Sequence, residues 1–404
     1  MPSPLSIAAG FCTLVSVAGN IQALTGATLL ARFRTRERRE DEAVRMSGRR
    51  WPAVTVLKPL HGNEPLLREA LESVFAQDYP DFQIVFGVHD EADTALSVVQ
   101  DLRQKYPQIP VSIVINADEH GPNRKVSNLI NMFDEGRHDV LVISDSDIHC
   151  APTYLKHVVS SLEAPGVGLV TTLYAGRTAG GTLVQQLGAC QINHNFLPGV
   201  MMSRLLGRQD CLGATMALTR QTLTEIGGLE ALVDHVADDA ELGQLVRQRG
   251  QGIAIAPSLT HTTVGEHTLS ELLSHELRWG RTVKNVEPVG YGLSSIQLPL
   301  FWAVTAVLFR PNTWWTWLLL GLTWAIRGLG SRIIDRATEC PLPAAIPLLV
   351  IRDWLSAAIM VGSARGSRVA WRGRTVHIAR RKRKSSARAT AFQSGATTHR
   401  SVRS

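Results

Sequence analysis

The chain has 404 residues, 45% of them hydrophobic, and a formal charge of +7 at pH 7. That length accommodates a full α/β domain with smaller elements beside it. The positive charge sits in two flanks, eight arginines against four acids in residues 32–50 and twelve Lys/Arg with no acid in residues 365–404. The body between them is net acidic, which excludes nucleic acid as a partner and matches basic flanks to an anionic membrane surface.

Residues 1–31 carry no Asp, Glu, Lys or Arg. The apolar run is long enough to span a bilayer, which takes roughly 20 residues. An interfacial helix is the alternative. No basic region precedes the run, so a cleaved secretory signal is not expected. A basic linker follows over 32–50. The five cysteines, at 12, 150, 190, 211 and 340, form no CxxC pair. They point to free thiols in a reducing cytoplasm, not to a zinc site or a disulfide framework.

The body reads as strands alternating with helices. Strands are expected at VTVLK (54–58), FQIVFGV (82–88), VSIVI (111–115) and VLVIS (140–144). Helices are expected from about Pro65, up to about Lys105, and through RKVSNLINMF. The strands are continuous apolar runs, as in a parallel sheet covered on both faces. A doubly wound domain of this kind binds ligands at the carboxyl ends of its strands. Asp90 and Asp145 fall there. Further on come GLVTTLY (168–174), ATMALT (214–219), a helix from Asp238 to about Gly250, and a helix from Thr268 opened by a capping box with Glu271.

Beyond Val289 lie three apolar segments, 293–309, 313–326 and 341–362. Both basic flanks belong on the cytoplasmic side, which puts the body there too. Two spans after the body return the tail to that side. The segment 341–362 holds Arg352-Asp353 and three prolines, so a re-entrant or interfacial course is expected for it. The alternative is that 293–309 does not span.

Four acidic positions stand out. Asp145 and Asp147 in SDSD offer two carboxylates to a divalent cation that also bridges two phosphates. Asp238 and Asp239 in VADDAEL open a helix, where one carboxylate can cap and the other can serve as a general base. Lys125, at a helix start after a GPNR loop, is placed to meet a phosphate or else is a surface lysine. His194 in NHNF is either packed in a polar pocket or part of a binding site.

The segments VTVLKPLHGNEP, QDYPDFQIVFGVHDEAD, NRKVSNL, ISDSD, CLGATMAL, VADDAEL and HELRW, in this order over about 54–285, resemble the ceramide glucosyltransferase family. That family belongs to the inverting nucleotide-sugar transferases with the glycosyltransferase A-type fold. Within it, NRKVSNLINM, Asp-Ser-Asp and HELRW look most like the bacterial hopanoid branch, which implies transfer of N-acetylglucosamine from a UDP-sugar to bacteriohopanetetrol. The resemblance implies that Asp90 contacts the uridine and that Pro59–Glu64 and Lys125 line the nucleotide site. It further implies that Asp145 and Asp147 hold Mg²⁺ or Mn²⁺ and that Asp239 is the catalytic base. The family's Arg-Trp signature falls on His275, Arg278 and Trp279 at the diphosphate and acceptor, and His194 is a candidate for the acceptor pocket. Two positions depart from the family pattern. Position 238 is Asp where Glu is common, and position 275 is His where Gln or Arg is expected, which makes its diphosphate contact pH-dependent.

The implied architecture is a membrane helix over 1–31, the linker, a cytoplasmic glycosyltransferase domain over 51–288, membrane segments over 289–364 and a basic disordered tail over 365–404. The implied location is a bacterial inner membrane crossed more than once. Rival readings are a ceramide glucosyltransferase using UDP-glucose, a processive polysaccharide synthase with too few segments for a channel, and a non-catalytic lipid-binding scaffold. The face formed by His275, Arg278, Trp279 and Thr282, at i, i+3, i+4 and i+7, is expected to turn toward the reaction.

Overall fold

The computed structural model describes residues 3–364 together with 368–371 and 374–377. The first element is a single helix, α1 (Pro4–Met46), that runs through most of the expected linker. Nothing in 32–46 breaks it: the segment has no Gly or Pro, and Arg34–Glu37 and Arg36–Glu40 pair at i,i+3 and i,i+4. The boundary at residue 31 is therefore a change of composition, not of backbone.

The body then builds β1 (Val54–Pro59), α2 (Leu67–Phe75), β2 (Phe82–Val88), α3 (Ala95–Lys105), β3 (Val111–Ile115), α4 (Arg124–Met132), β4 (Val140–Ser144) and β5 (Ile148–His149). After α5 (Tyr154–Leu162) come β6 (Val167–Thr178), α6 (Leu183–Cys190), a π-helical turn Gln191–Phe196 and α7 (Leu197–Leu205). The series continues with β7 (Thr215–Thr219), α8 (Arg220–Glu225), α9 (Asp238–Gln248), β8 (Gly252–Val264) and α10 (Leu269–Val286). It closes with α11 (Pro288–Leu293), α12 (Pro299–Phe309), α13 (Trp314–Ala337), α14 (Ile346–Ala364) and a hairpin of β9 (Arg368–Trp371) and β10 (Arg374–His377). That hairpin lies where a disordered tail was expected; the rest of the tail is outside the described residues.

Among the described residues the main sheet has eight strands in the order β3-β2-β1-β4-β7-β6-β8-β5. β3, β2, β1 and β4 run parallel, as their unbroken apolar runs predicted. Val54, Val56, Ile84 and Phe86 pack on one face, while Leu57, Val85, Leu141 and Ile143 pack on the other. Each fully buried side chain of this kind stabilises the fold by roughly 1.5–3 kcal/mol. The second half departs from a doubly wound plan. β7 is antiparallel to both β4 and β6, and β8 is parallel to β6. β8 was not anticipated: Pro257 and a run of Thr and His obscure its period, and the β6–β8 ladder shifts register beside it, between Thr171 and Leu173.

Of the two courses left open for the C-terminal segments, the helices match the second. Residues 346–364, overlapping the segment 341–362 expected to be re-entrant, form the continuous helix α14, which with α1 is long and apolar enough to cross a membrane. The segment before Phe309 is the broken one: Pro288–Gln297 and Pro299–Phe309 meet at a 71° bend. The charges that argued against a span in α14 are both paired, Arg352 with Glu276 and Asp353 with Arg327. Pro341 and Pro343 precede the helix and Pro347 sits in its first turn, where proline is tolerated. α1 packs on α12 and α13 through small and polar residues. Ser16 Oγ donates to the Pro299 carbonyl at 3.0 Å, and Asn20 Nδ2 donates to Thr323 Oγ1 at 3.0 Å. At Gly26 an added Cβ would lie 2.6 Å from Pro198 Cβ, so glycine sets the approach of α7.

Candidate active site

The nucleotide end of the crevice forms where β1 and β2 terminate. Pro59 closes β1, and the next residue, Leu60, donates its N–H to the Gly87 carbonyl at 2.8 Å. The following loop turns at Gly62, whose positive φ of 70° suits glycine. Its N–H donates to both carboxylate oxygens of Asp93, at 2.9 and 3.1 Å. Asp90 lies just beyond β2, exposed, with Oδ1 accepting from the Ala92 N–H at 2.9 Å. Glu64 accepts from Ser146 Oγ at 2.5 Å, tying this loop to the Asp-Ser-Asp turn. Pro59, Glu64 and Asp90 thus share the strand-end edge predicted for them. Asp93, which latches the loop, went unnoticed because one more acid in HDEADT carries no distinguishing pattern.

Beside them, four charged residues from three elements converge. Asn123 caps α4 by accepting from the Val126 N–H at 3.1 Å, which points the first turn of the helix, and Lys125, at the crevice. Lys125 Nζ lies 2.6 Å from Asp145 Oδ1 and 3.6 Å from Asp238 Oδ2. Burial alone would lower its pKa, but the charges of Asp145, Asp238 and Asp239 outweigh that and hold it well above the ordinary lysine value. With 13% of its side chain exposed and two carboxylates beside it, Lys125 is not a free surface lysine. Asp239, half-buried at the start of α9, has its carboxyl pushed up to about 6 by burial and by the neighbouring Asp238. Its Oδ1 accepts from the Ala240 N–H at 2.8 Å.

Gly213 of the CLGATMAL segment explains itself here. A Cβ at that position would stand 3.1 Å from Asp239 Oδ2. Gly213→Ala should therefore displace the carboxylate by a few tenths of an ångström and lower turnover by roughly tenfold. Calorimetric binding of the nucleotide should be unchanged.

Asp147 completes the turn. Its Oδ2 accepts from Thr262 Oγ1 on β8, the strand missed in the sequence. Burial and the charge of Asp145 raise its pKa. Beneath the turn Lys58 is fully buried, with Nζ donating to the Asp145 carbonyl at 2.7 Å and to Ser144 Oγ at 3.2 Å. A lysine inside an apolar parallel strand must have such partners, and that was the signal available for it. Two neighbouring carboxylates, with a penalty on ionisation at Asp147, suit a divalent cation. Among the described residues no three His, Cys, Asp or Glu side chains are grouped to hold one, so substrate oxygens would have to complete the shell. That donor set fits Mg²⁺ or Mn²⁺ and not a closed protein site.

The third wall is α10, capped as expected by Thr268 and Glu271. His275 stacks edge-on to Trp279 with ring centroids 4.9 Å apart, and its Nδ1 pairs with Glu266. Burial would raise the Glu266 carboxyl, yet His275 and Arg278 hold it below the usual range. The predicted diphosphate contact of His275 therefore has a carboxylate competing for the same ring. Trp279, Tyr174 and Phe196 each pack against the buried cluster of Ala189, Ile192 and Val264, and the Tyr174 and Phe196 rings lie 4.8 Å apart. Burial, then the charges of Asp239, Asp145 and Asp147, push the Tyr174 phenol up. Tyr174 thus feels the carboxylates while packing on the same cluster as Trp279. His194 is elsewhere: it is buried, with Nε2 3.1 Å from Asp335 Oδ1 on α13. It is Phe196, two residues on, that packs against the same buried cluster as Trp279.

A mixed sheet with an acidic turn at its parallel strand ends is the glycosyltransferase A-type arrangement. The fold is similar to that of the mannosyltransferase PcManGT from Pyrobaculum calidifontis, solved in complex with GDP-Man and Mn²⁺. The two share 15% identity at a TM-score of 0.50, over 87% of this chain and 97% of that one. The chain belongs to glycosyl transferase family 21, whose profile matches residues 12–384. It is 28% identical over 246 residues to ceramide glucosyltransferase 1 of Caenorhabditis elegans, covering 58% of this chain and 49% of that protein. It is 36% identical over 113 residues to the ceramide glucosyltransferase of Komagataella phaffii, covering 27% of this chain and 22% of that protein. The match thus spans about half the length of the nematode relative and less of the yeast one.

Proposed function

We propose that this protein is an inverting membrane transferase that moves a sugar from a UDP-sugar to a hydroxyl of a lipid. One observation carries the reading above the rest: a half-buried Asp239, its carboxyl pushed up to about 6, beside the Lys125–Asp145–Asp238 cluster at the strand ends. A base poised near neutrality is suited to take a proton from an alcohol. The acceptor oxygen then attacks the anomeric carbon in line with the departing diphosphate, so a single displacement inverts the configuration. Lys125 and Arg278 bring positive charge to the diphosphate as its charge develops, the largest stabilising effect expected in such a site. Asp145 and Asp147 would hold a Mg²⁺ or Mn²⁺ ion, which when bound neutralises the leaving diphosphate as a Lewis acid. The Mn²⁺ in the structural neighbour is in keeping with that assignment.

The named relatives favour ceramide as acceptor and glucose as the sugar, and this is the first reading. The second, N-acetylglucosamine onto bacteriohopanetetrol, rests on NRKVSNLINM, Asp-Ser-Asp and HELRW. The Trp279, Phe196 and Tyr174 wall supports an apolar acceptor in either case. The apolar stripe Leu5, Ile7, Phe11, Leu14, Val17 and Ile21 on α1, all exposed, supports a membrane location. The arginine-rich end of α1 and the basic tail favour the cytoplasmic side of a bacterial inner membrane for the catalytic domain.

The deciding experiment offers the purified protein in nanodiscs UDP-glucose or UDP-N-acetylglucosamine with ceramide or bacteriohopanetetrol. Mass spectrometry of the lipids reads the result. Glucosylceramide supports the first reading and a hexosamine-bearing hopanoid the second. Metal-independent silence, with no UDP released from any pair, overturns both and leaves the lipid-binding scaffold.

A further inference from the structure

α10 has two working faces. One carries His275, Arg278, Trp279 and Thr282, with His275 paired to Glu266 and edge-on to Trp279. On the other, Glu276, Gly280 and Lys284, spaced at i, i+4 and i+8, are fastened to α14. Glu276 Oε1 and Oε2 accept from Arg352 Nη1 and Nη2, each at 2.7 Å. Arg352 is 0% exposed, and its remaining donors reach the Leu187 carbonyl at 3.2 Å and Ser356 Oγ at 3.1 Å. At Gly280 an added Cβ would stand 2.4 Å from Ser363 Oγ, so the Ser363 hydroxyl packs directly on the α10 backbone there. Lys284 Nζ donates to the carbonyls of Ser363 and Ala364, at 3.0 and 2.9 Å, at the end of α14. α14 is pinned in turn: Asp353 accepts from Arg327 at 3.0 Å and from the Leu300 N–H at 3.0 Å.

A two-pronged guanidinium–carboxylate contact fixes orientation as well as distance. Each residue of a helix subtends roughly 100°, so a small rotation of α10 would swing Arg278 and Trp279 away from the crevice. The pair is an unlikely source of net stability, because desolvating two charges offsets most of their attraction. We propose that Glu276 and Arg352 are positioning residues: from the side of α14 they set the rotation of α10 and so place Arg278 and Trp279 for the reaction. This rests on the role given to Arg278 above.

The test uses the full chain in nanodiscs. Arg352→Lys keeps both buried charges but loses the fork. It is expected to lower kcat about tenfold to a hundredfold, with the donor KM within about threefold and the thermal transition retained. In an Arg278→Ala background, the same change should cost clearly less than in the parent, because one of the two groups it positions is gone. Losses that multiply in the double variant overturn the proposal and leave the reaction scheme standing. Full turnover in Arg278→Ala alone overturns the role of Arg278, and this positioning with it.

A second variant guards against a failure to fold. Glu276→Met with Arg352→Met removes both charges together, a change that often preserves stability. Its thermal transition should match or exceed that of the parent while kcat stays low. Turnover that returns to the parent level overturns the proposal.

Discussion

Asp239→Asn is expected to lower turnover by about 10²–10⁴-fold, the usual contribution of a general base. UDP-sugar binding, read by calorimetry, should persist, because Lys125, Asp145 and Asp147 remain. Two further measurements separate loss of a base from loss of fold. The parent enzyme should lose activity as pH falls through about 6, the value to which burial and Asp238 raise the Asp239 carboxyl. Below that pH the base carries its proton and turnover should drop about tenfold per unit. Stability should move the other way. A carboxyl whose pKa is raised on folding favours the folded state at low pH, and that advantage is lost as pH rises through the folded value. The Asn variant has no such group, so its thermal transition should gain on the parent above pH 6 and lose that gain toward pH 4. Retained transfer in Asp239→Asn would remove the base from the scheme.

Asp145→Asn and Asp147→Asn should each raise the concentration of Mn²⁺ or Mg²⁺ needed for half-maximal activity by more than about tenfold, in keeping with two protein ligands completed by diphosphate oxygens. Titration with a chelator should silence the parent and be reversed by added metal. The two variants should differ in a second respect. Asp145→Asn also strips Lys125 of its 2.6 Å partner, which leaves that ammonium to Asp238 at 3.6 Å. Asp147→Asn leaves Lys125 untouched and disturbs only the Thr262 contact to β8. Nucleotide affinity without metal should therefore change in the first variant and not in the second. Equal metal dependence in parent and both variants would contradict the assignment.

The parallel half of the sheet was legible because β1, β2, β3 and β4 are short apolar runs separated by helical periods. β1, β2 and β4 are buried on both faces, while β3 is a partly exposed edge strand. The carboxylate site was legible for a related reason: Asp145 follows β4 directly and Lys125 follows a helix cap, so chain order alone places both at the strand ends. β8 was missed because its middle is Pro257 and its end is THTTV, polar residues whose partners, Asp147 and His149, come from a turn more than a hundred residues earlier. The charges of 341–362 were misjudged in the same way. Arg352 and Asp353 read as obstacles to a span until Glu276 and Arg327 are beside them.

HELRW shows the division within five residues. The spacing of His275, Arg278 and Trp279 put them on one helical face, and the capping box at Thr268 fixed where the helix begins; both follow from backbone geometry that a sequence carries locally. Which way that face turns is decided by Glu276, the residue with no role in the sequence reading, through a partner 76 positions later. The positions of β1–β4, the acidic turn and the helix faces were determined by the sequence itself, since each depends on residues a few positions apart. The mixed half of the sheet, the true course of the C-terminal helices and the rotation of α10 were decided only in the tertiary structure. There, buried charges find partners that no local pattern announces.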